Sequence, residues 1–180
     1  MPTPSSFLRA AVQSRTARIA VGASTVRGRG HTGVVAAARH HFATLDLRLF
    51  RVSQKRFPQT LDRETASLQQ ALPPAARHFG IARKLLNIFL RDCLYTTQLG
   101  HYYGLDRLEP VLEIPLDSIT AQALKKSSGR GTLPQWPGVK HLTPALSSIF
   151  QAAALVQARA KGIDRVHLDA VWWSLDRDGP

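Results

Sequence analysis

The sequence predicts an all-α fold. Three observations carry that reading. Apolar residues recur at helical spacing over most of the chain, alternating strand-like runs are nearly absent, and proline and glycine cut the apolar stretches into helix-length pieces. At 180 residues the chain suits one compact domain, with room for an appended arm. Pro2 and Pro4 open it, and a short helix is expected from Phe7. Gly22, Gly28, Gly30 and Gly33 then mark a loop. Thr32 can cap a helix over about 33–45, with Val34, Val35, Ala38, Phe42 and Leu45 on one face. Another helix is expected over 61–72, stopped by Pro73-Pro74. The longest apolar segment, IARKLLNIFLRDCLYTTQL, predicts a single helix over about 81–99, with the Leu85, Ile88, Phe89, Asp92/Cys93 and Thr96 positions at helical spacing and most of it buried. Gly100, Gly104 and Pro110 read as a loop. EIPLDSITAQALKK enters a helix at Pro115 and runs to Lys126, and SSGRGTLPQWPG is a turn-rich connection. Thr143-Pro144 combines an N-cap with a first-turn proline; the helix it starts ends before Gly162 and turns Leu146, Ile149, Phe150, Ala153 and Val156 inward. HLDAVWWSL closes the chain as a short helix.

Composition excludes several classes. No stretch approaches the roughly 18 apolar residues of a membrane-spanning helix. The single cysteine, Cys93, rules out an internal disulfide and any zinc site built on several cysteines. Charge is the strongest compositional signal: 24 Lys+Arg against 12 Asp+Glu leave a net +12. Residues 1–60 carry ten of the basic groups, Arg27 and Arg29 among them, and one acid, Asp46. Residues 61–120 are near neutral with six against seven, and 121–180 return to eight against four. Such a balance points to a polyanion, and nucleic acid is the commonest one. The acid-poor start also has the Arg-, Ser- and Ala-rich composition of an organellar transit peptide.

Two segments carry chemistry. In Gly80-Ile81-Ala82-Arg83-Lys84-Leu85-Leu86-Asn87 a glycine leads into a helix with a lysine in its first turn, a shape that can aim helix-terminal N–H groups at a phosphate. In Glu113-Ile114-Pro115-Leu116-Asp117-Ser118 a proline introduces a carboxylate at a helix start. Taken singly, a first-turn lysine is usually solvated and such an aspartate is usually a cap.

Together, and in this order, GIARKLLN and IPLD resemble the helix-hairpin-helix DNA glycosylase superfamily, whose members show a Gly-Val-Gly-Arg-Lys-Thr-Ala-Asn type hairpin followed by Val-Pro-Val-Asp. Lys84 falls on the family's lysine and Asp117 on its aspartate. The 33-residue gap between them (117 − 84) exceeds that of the endonuclease III and eukaryotic 8-oxoguanine branches and is closer to the archaeal 8-oxoguanine branch. The terminal VHLDAVWW is similar to the Asp- and Trp-bearing closing helix of that branch. The resemblance covers about residues 72–176. Two features depart from it: Leu72-Pro73-Pro74 stands several residues before the expected Leu-Pro-Gly, and Ala82 replaces the second glycine. The four-cysteine iron–sulfur signature of some members is absent, and no cofactor or metal is expected.

The resemblance implies a helix-hairpin-helix glycosylase-like domain over 61–180; the charge and apolar spacing of 1–60 predict a basic arm-plus-helix segment packed on the core. The resemblance also implies an N-glycosylase with associated lyase activity that flips a damaged or modified base out of double-stranded DNA. Lys84 would be the nucleophile and Asp117 the stabiliser of an oxocarbenium-like state. Gly80, Ala82, Arg83, Arg27, Arg29, Lys125, Lys126 and Lys140 are the expected DNA contacts, and Trp136, Trp172 and Trp173 the candidates to stack on an extruded base. No membrane and no obligate protein partner are inferred. The expected place is the bacterial cytoplasm at the nucleoid, with organellar import as the alternative. Two other functions remain open: a non-catalytic helical DNA-binding module, and a phage-defence effector using a glycosylase-like fold.

Overall fold

The computed structural model describes residues 4–22, 25–26 and 32–177. Among them every regular element is helical and there is no strand, as the apolar spacing predicts. The order is α1 (Pro4–Ala20), α2 (Val34–Thr44), α3 (Phe57–Ala71), α4 (Phe79–Leu94), α5 (Thr97–Tyr103), α6 (Ser118–Ser128), α7 (Pro144–Ala160) and α8 (Leu168–Arg177), joined in part by 3-10 turns. None of these helices is long and apolar enough to cross a membrane.

Two apolar clusters organise the packing. The larger gathers α1 to α5, with Phe42 of α2 stacked flat on Phe89 of α4 at a ring separation of 4.4 Å. Gln13 of α1 donates from Nε2 to the carbonyls of Phe42 and Leu45, satisfying backbone acceptors at the end of α2. The smaller cluster joins Ile114 and Leu116 to Ala121, Leu124, Phe150, Ala154, Ala158 and Leu168. Trp136 packs against both.

Several elements differ from expectation. The short helix expected from Phe7 is the 17-residue α1. α3 starts at Phe57, ahead of Leu61, because Pro58 is a favoured first-turn residue. The single helix expected over 81–99 breaks after Leu94. Thr96 turns extended (φ −98°, ψ 106°) and bonds its hydroxyl to the Asp92 carbonyl, and α5 starts beyond it, running through Gly100. Gly100 allows this because a Cβ there would lie 2.5 Å from the Leu94 carbonyl oxygen. On α7 the inward stripe is Ser147, Phe150, Gln151, Ala154 and Ala158, while Ile149 and Val156 are exposed. The polar members are buried for a reason: Gln151 accepts from the Ile114 N–H and donates to the Ile114 carbonyl, holding the extended IPL run.

The expected glycine hairpin is also corrected. α3 and α4 are joined through Leu72, Pro73 and the 3-10 turn Pro74–Ala76, and Gly80 is the second residue of α4. It is buried against the 3-10 turn Val139–His141, where a Cβ would stand 2.1 Å from the Val139 carbonyl oxygen. Ala82 is fully buried. Neither position can present a backbone amide to an external phosphate.

Candidate active site

α4 carries Lys84 to the mouth of a cleft of about 730 Å³ between the two clusters. Its walls come from the end of α1 (Ile19, Ala20), from α4 and its C-cap (Lys84, Ile88, Arg91, Tyr95), from the segment that leads into α6 (Pro115, Asp117) and from α8 (Asp169). Asp117 reaches it because it caps α6. Its Oδ1 accepts from the N–H groups of Ile119 and Thr120, both at 3.0 Å, and the Thr120 hydroxyl accepts from the Asp117 N–H, completing a capping box. The second oxygen is left for the cleft. Asp117 Oδ2 lies 3.0 Å from Lys84 Nζ, and both side chains are only 15–21% exposed. Lys84 Nζ also donates to the Thr25 carbonyl at 3.2 Å.

A buried ion cluster fixes these two segments together. Arg83, beside Lys84, donates from Nε and Nη2 to both oxygens of Glu113, four residues before Asp117, at 2.8 and 3.0 Å. Asn87, one turn further along α4, donates to the same carboxylate. Burial opposes the Glu113 charge, but the Arg83 guanidinium outweighs it and holds the carboxyl below its usual range. Arg83 also bonds Asp62 and Thr65. Its expected DNA contact is therefore corrected: the guanidinium is enclosed and its donors are spent inside the protein.

A second acidic group faces Asp117. Asp169 of α8 is paired with Arg91, which also holds Asp92. Burial pushes the Asp169 carboxyl up to about 6; Arg91 offsets this only in part, and the nearby charge of Asp117 adds to it. At the rim Tyr95, half exposed, stacks on His167 and shares a 2.8 Å hydrogen bond with its Nδ1, while Nε2 of that ring faces Glu109.

The chain matches no family model, no curated protein and no solved structure. The likeness to helix-hairpin-helix glycosylases accordingly stands on the two motifs and their order. Of the residues singled out in sequence, Lys84 and Asp117 converge in the cleft. Lys125 and Lys126 end α6, the helix that Asp117 begins, about 12–14 Å away along its axis. Lys140 sits on the turn that packs against Gly80. Trp136 meets Phe150 edge-on at 5.2 Å and Trp172 is half-buried against the smaller cluster, so both pack in the protein rather than line the cleft. Arg27, Arg29 and the Trp173 side chain lie outside the described residues. Among the described residues no group of three or more His, Cys, Asp or Glu side chains is placed to hold a metal.

Sequence reasoning missed Arg91, Tyr95 and the segment around Thr25. Arg91 carried one available signal, a charge inside an apolar helical segment with Asp92 beside it. Tyr95 and Thr25 carried none, because no periodicity connects them to Lys84.

Proposed function

We propose that this protein is a DNA N-glycosylase with associated lyase activity, acting on a damaged or modified base in duplex DNA, whether in repair or in defence. One observation carries the reading: a lysine amine and a carboxylate oxygen stand 3.0 Å apart in an open cleft. The same carboxylate's other oxygen is fixed by two backbone amides, so its position needs no reorganisation. The target base is unreachable inside a duplex and is extruded into the cleft. As the bond from the anomeric carbon to the base breaks, the ionised Asp117 carboxylate stabilises the positive charge that develops on the sugar; Lys84 then passes a proton to Asp117 and its free amine bonds to that carbon. The departing base takes the bonding electron pair and a proton. Asp169, which holds its proton up to about pH 6, is a carboxyl in the cleft suited to donate one. The resulting imine between Lys84 and the opened sugar permits elimination of the 3′ phosphate and strand cleavage. Lys125, Lys126 and Lys140, with Arg27 and Arg29, are the phosphate contacts of this reading.

The test is borohydride trapping on duplexes bearing assorted damaged bases. The parent protein is expected to yield a covalent adduct on its cognate lesion, and Lys84→Gln none, because only a primary amine forms the imine. Glutamine keeps a donor toward Asp117, so stability should change by about 1 kcal/mol or less. Absence of any adduct in the parent protein, with only a modest loss of affinity in the variant, would leave Lys84–Asp117 a structural ion pair in a DNA-binding module.

A further inference from the structure

A second groove lies away from the cleft. It measures about 670 Å³ and is bordered by Arg51, Gln54, His101, Tyr102, Tyr103 and Arg107. Its cations are held differently from those inside the protein. Arg83 and Arg91 are neutralised by carboxylates. Arg51 instead donates from Nη2 to the Tyr102 carbonyl at 2.6 Å and lies 5.2 and 5.7 Å from the centres of the Tyr102 and Tyr103 rings. Arg9, from the start of α1, covers Tyr102 at 3.8 Å. Among the described residues no carboxylate pairs with Arg9, Arg51 or Arg107. The acids nearby have other partners: Asp106 lies 3.7 Å from His101 and Asp46 binds Arg48. These three guanidiniums therefore have no carboxylate in direct contact, although Asp46 is near enough for Arg51 to help lower its pKa.

We propose that this groove is a second anion site that grips the phosphodiester backbone of duplex DNA, independently of sequence. The rings argue for phosphate over base. The Tyr102 face under Arg9 is closed to base stacking, and the tyrosines act as platforms that hold guanidiniums in place. Guanidiniums so held keep N–H groups for phosphate oxygens at little entropic cost. The placement relative to the cleft also fits. Arg9 and Ala20 lie eleven residues apart on one face of α1, about 16 Å along its axis, and Ala20 lines the cleft. That span is about five base pairs of duplex at ~3.4 Å each. Tyr95, which lines the cleft, and Tyr102, which borders the groove, are both exposed.

The site rests on the duplex-DNA reading above but not on excision, so the two can fail separately. The experiment measures affinity of the full chain for an undamaged duplex of about two helical turns across a salt series, by fluorescence anisotropy. Arg51→Gln/Arg107→Gln is expected to lower the slope of log affinity against log salt by about two, at ~0.9 per phosphate contact. At 0.1 M salt that corresponds to a loss of up to about sixtyfold. Arg51→Lys/Arg107→Lys, which keeps the charge, should restore most of the slope and so separates charge from folding. This result with no borohydride adduct on any lesion would keep the groove and end the glycosylase reading. An unchanged slope in the glutamine pair would overturn the groove, even in a protein that traps DNA. So would an equal loss in the lysine pair, or binding of polyglutamate in place of duplex.

Discussion

In the proposed reaction Asp117 serves structure and chemistry at once. Oδ1 is committed to the α6 cap and Oδ2 to Lys84, so the two roles can be separated by substitution. Asn caps nearly as well as Asp but carries no charge. Asp117→Asn should therefore keep its melting temperature and duplex affinity within measurement error, while single-turnover excision falls about 10²–10³-fold, the scale of ~3–4 kcal/mol of lost electrostatic stabilisation. Unfolding of the variant, or near-normal excision, would reduce Asp117 to a cap. Asp169 makes a prediction of a different kind. Its folded-state pKa is raised from the ordinary 3.8 to about 6, so the folded protein keeps a proton that the unfolded chain releases. The stability this contributes is fully present below about pH 4 and is lost as pH rises through about 6. A rise of that size corresponds to about 3 kcal/mol. Glu113, with a lowered pKa, acts in the opposite sense, losing its contribution as pH falls. The comparison is therefore between the parent and Asp169→Asn, by urea unfolding at about pH 4 and pH 7. The parent should lose stability relative to the variant over that interval; a constant difference between them would show that Asp169 does not hold the proton.

At the scale of elements, the site exists because α4 and the IPLD segment are clamped together. Arg83 and Asn87 reach Glu113 from one face of α4, and Gln151 of α7 holds Ile114 from behind. Lys84, next to Arg83, and Asp117, four residues after Glu113, face the cleft beside this clamp. Gly80 sets the other end of α4. Its absent side chain lets the Val139–His141 turn lie directly on the helix, and Leu142 stands 2.8 Å from where a Cβ would be. Gly80→Ala should cost about 1–3 kcal/mol or more, through overpacking against backbone that cannot move aside easily. Thermal unfolding checks this, and an unchanged or raised melting temperature would mean that the turn is not seated there. The sequence motif thus contains a structurally required glycine, for helix-to-turn packing rather than for phosphate.

Over the whole molecule, residues 1–60 build core as well as carry charge. Phe42 is fully buried on Phe89, and Ala17, Val21, Val34 and Phe50 share that cluster. Phe42→Ala should cost about 3–5 kcal/mol in chemical denaturation and lower a single cooperative transition. A transition that leaves α4 untouched would make the first sixty residues a separable arm. The same segment supplies Ile19, Ala20 and the Thr25 carbonyl to the cleft, so the catalytic reading needs it folded.

The local parts of this account were legible in the linear sequence. Helical spacing identified the class and most of the helices; Thr143-Pro144 and Asp117 marked helix starts by capping chemistry, which acts over three or four residues. The pairing of Lys84 with Asp117 was legible from two motifs in a known order. Tertiary structure alone decided the rest. Arg83 and Lys84 are neighbours in sequence, yet helical rotation turns one into a buried carboxylate cluster and the other into the cleft. The Arg91–Asp169 pair spans 78 residues, and beside the groove Arg9 of α1 covers the Tyr102 ring of α5. Such contacts have no period and no fixed spacing, because they follow from how helices pack, and packing is set by the summed fit of whole apolar faces rather than by any local run of residues.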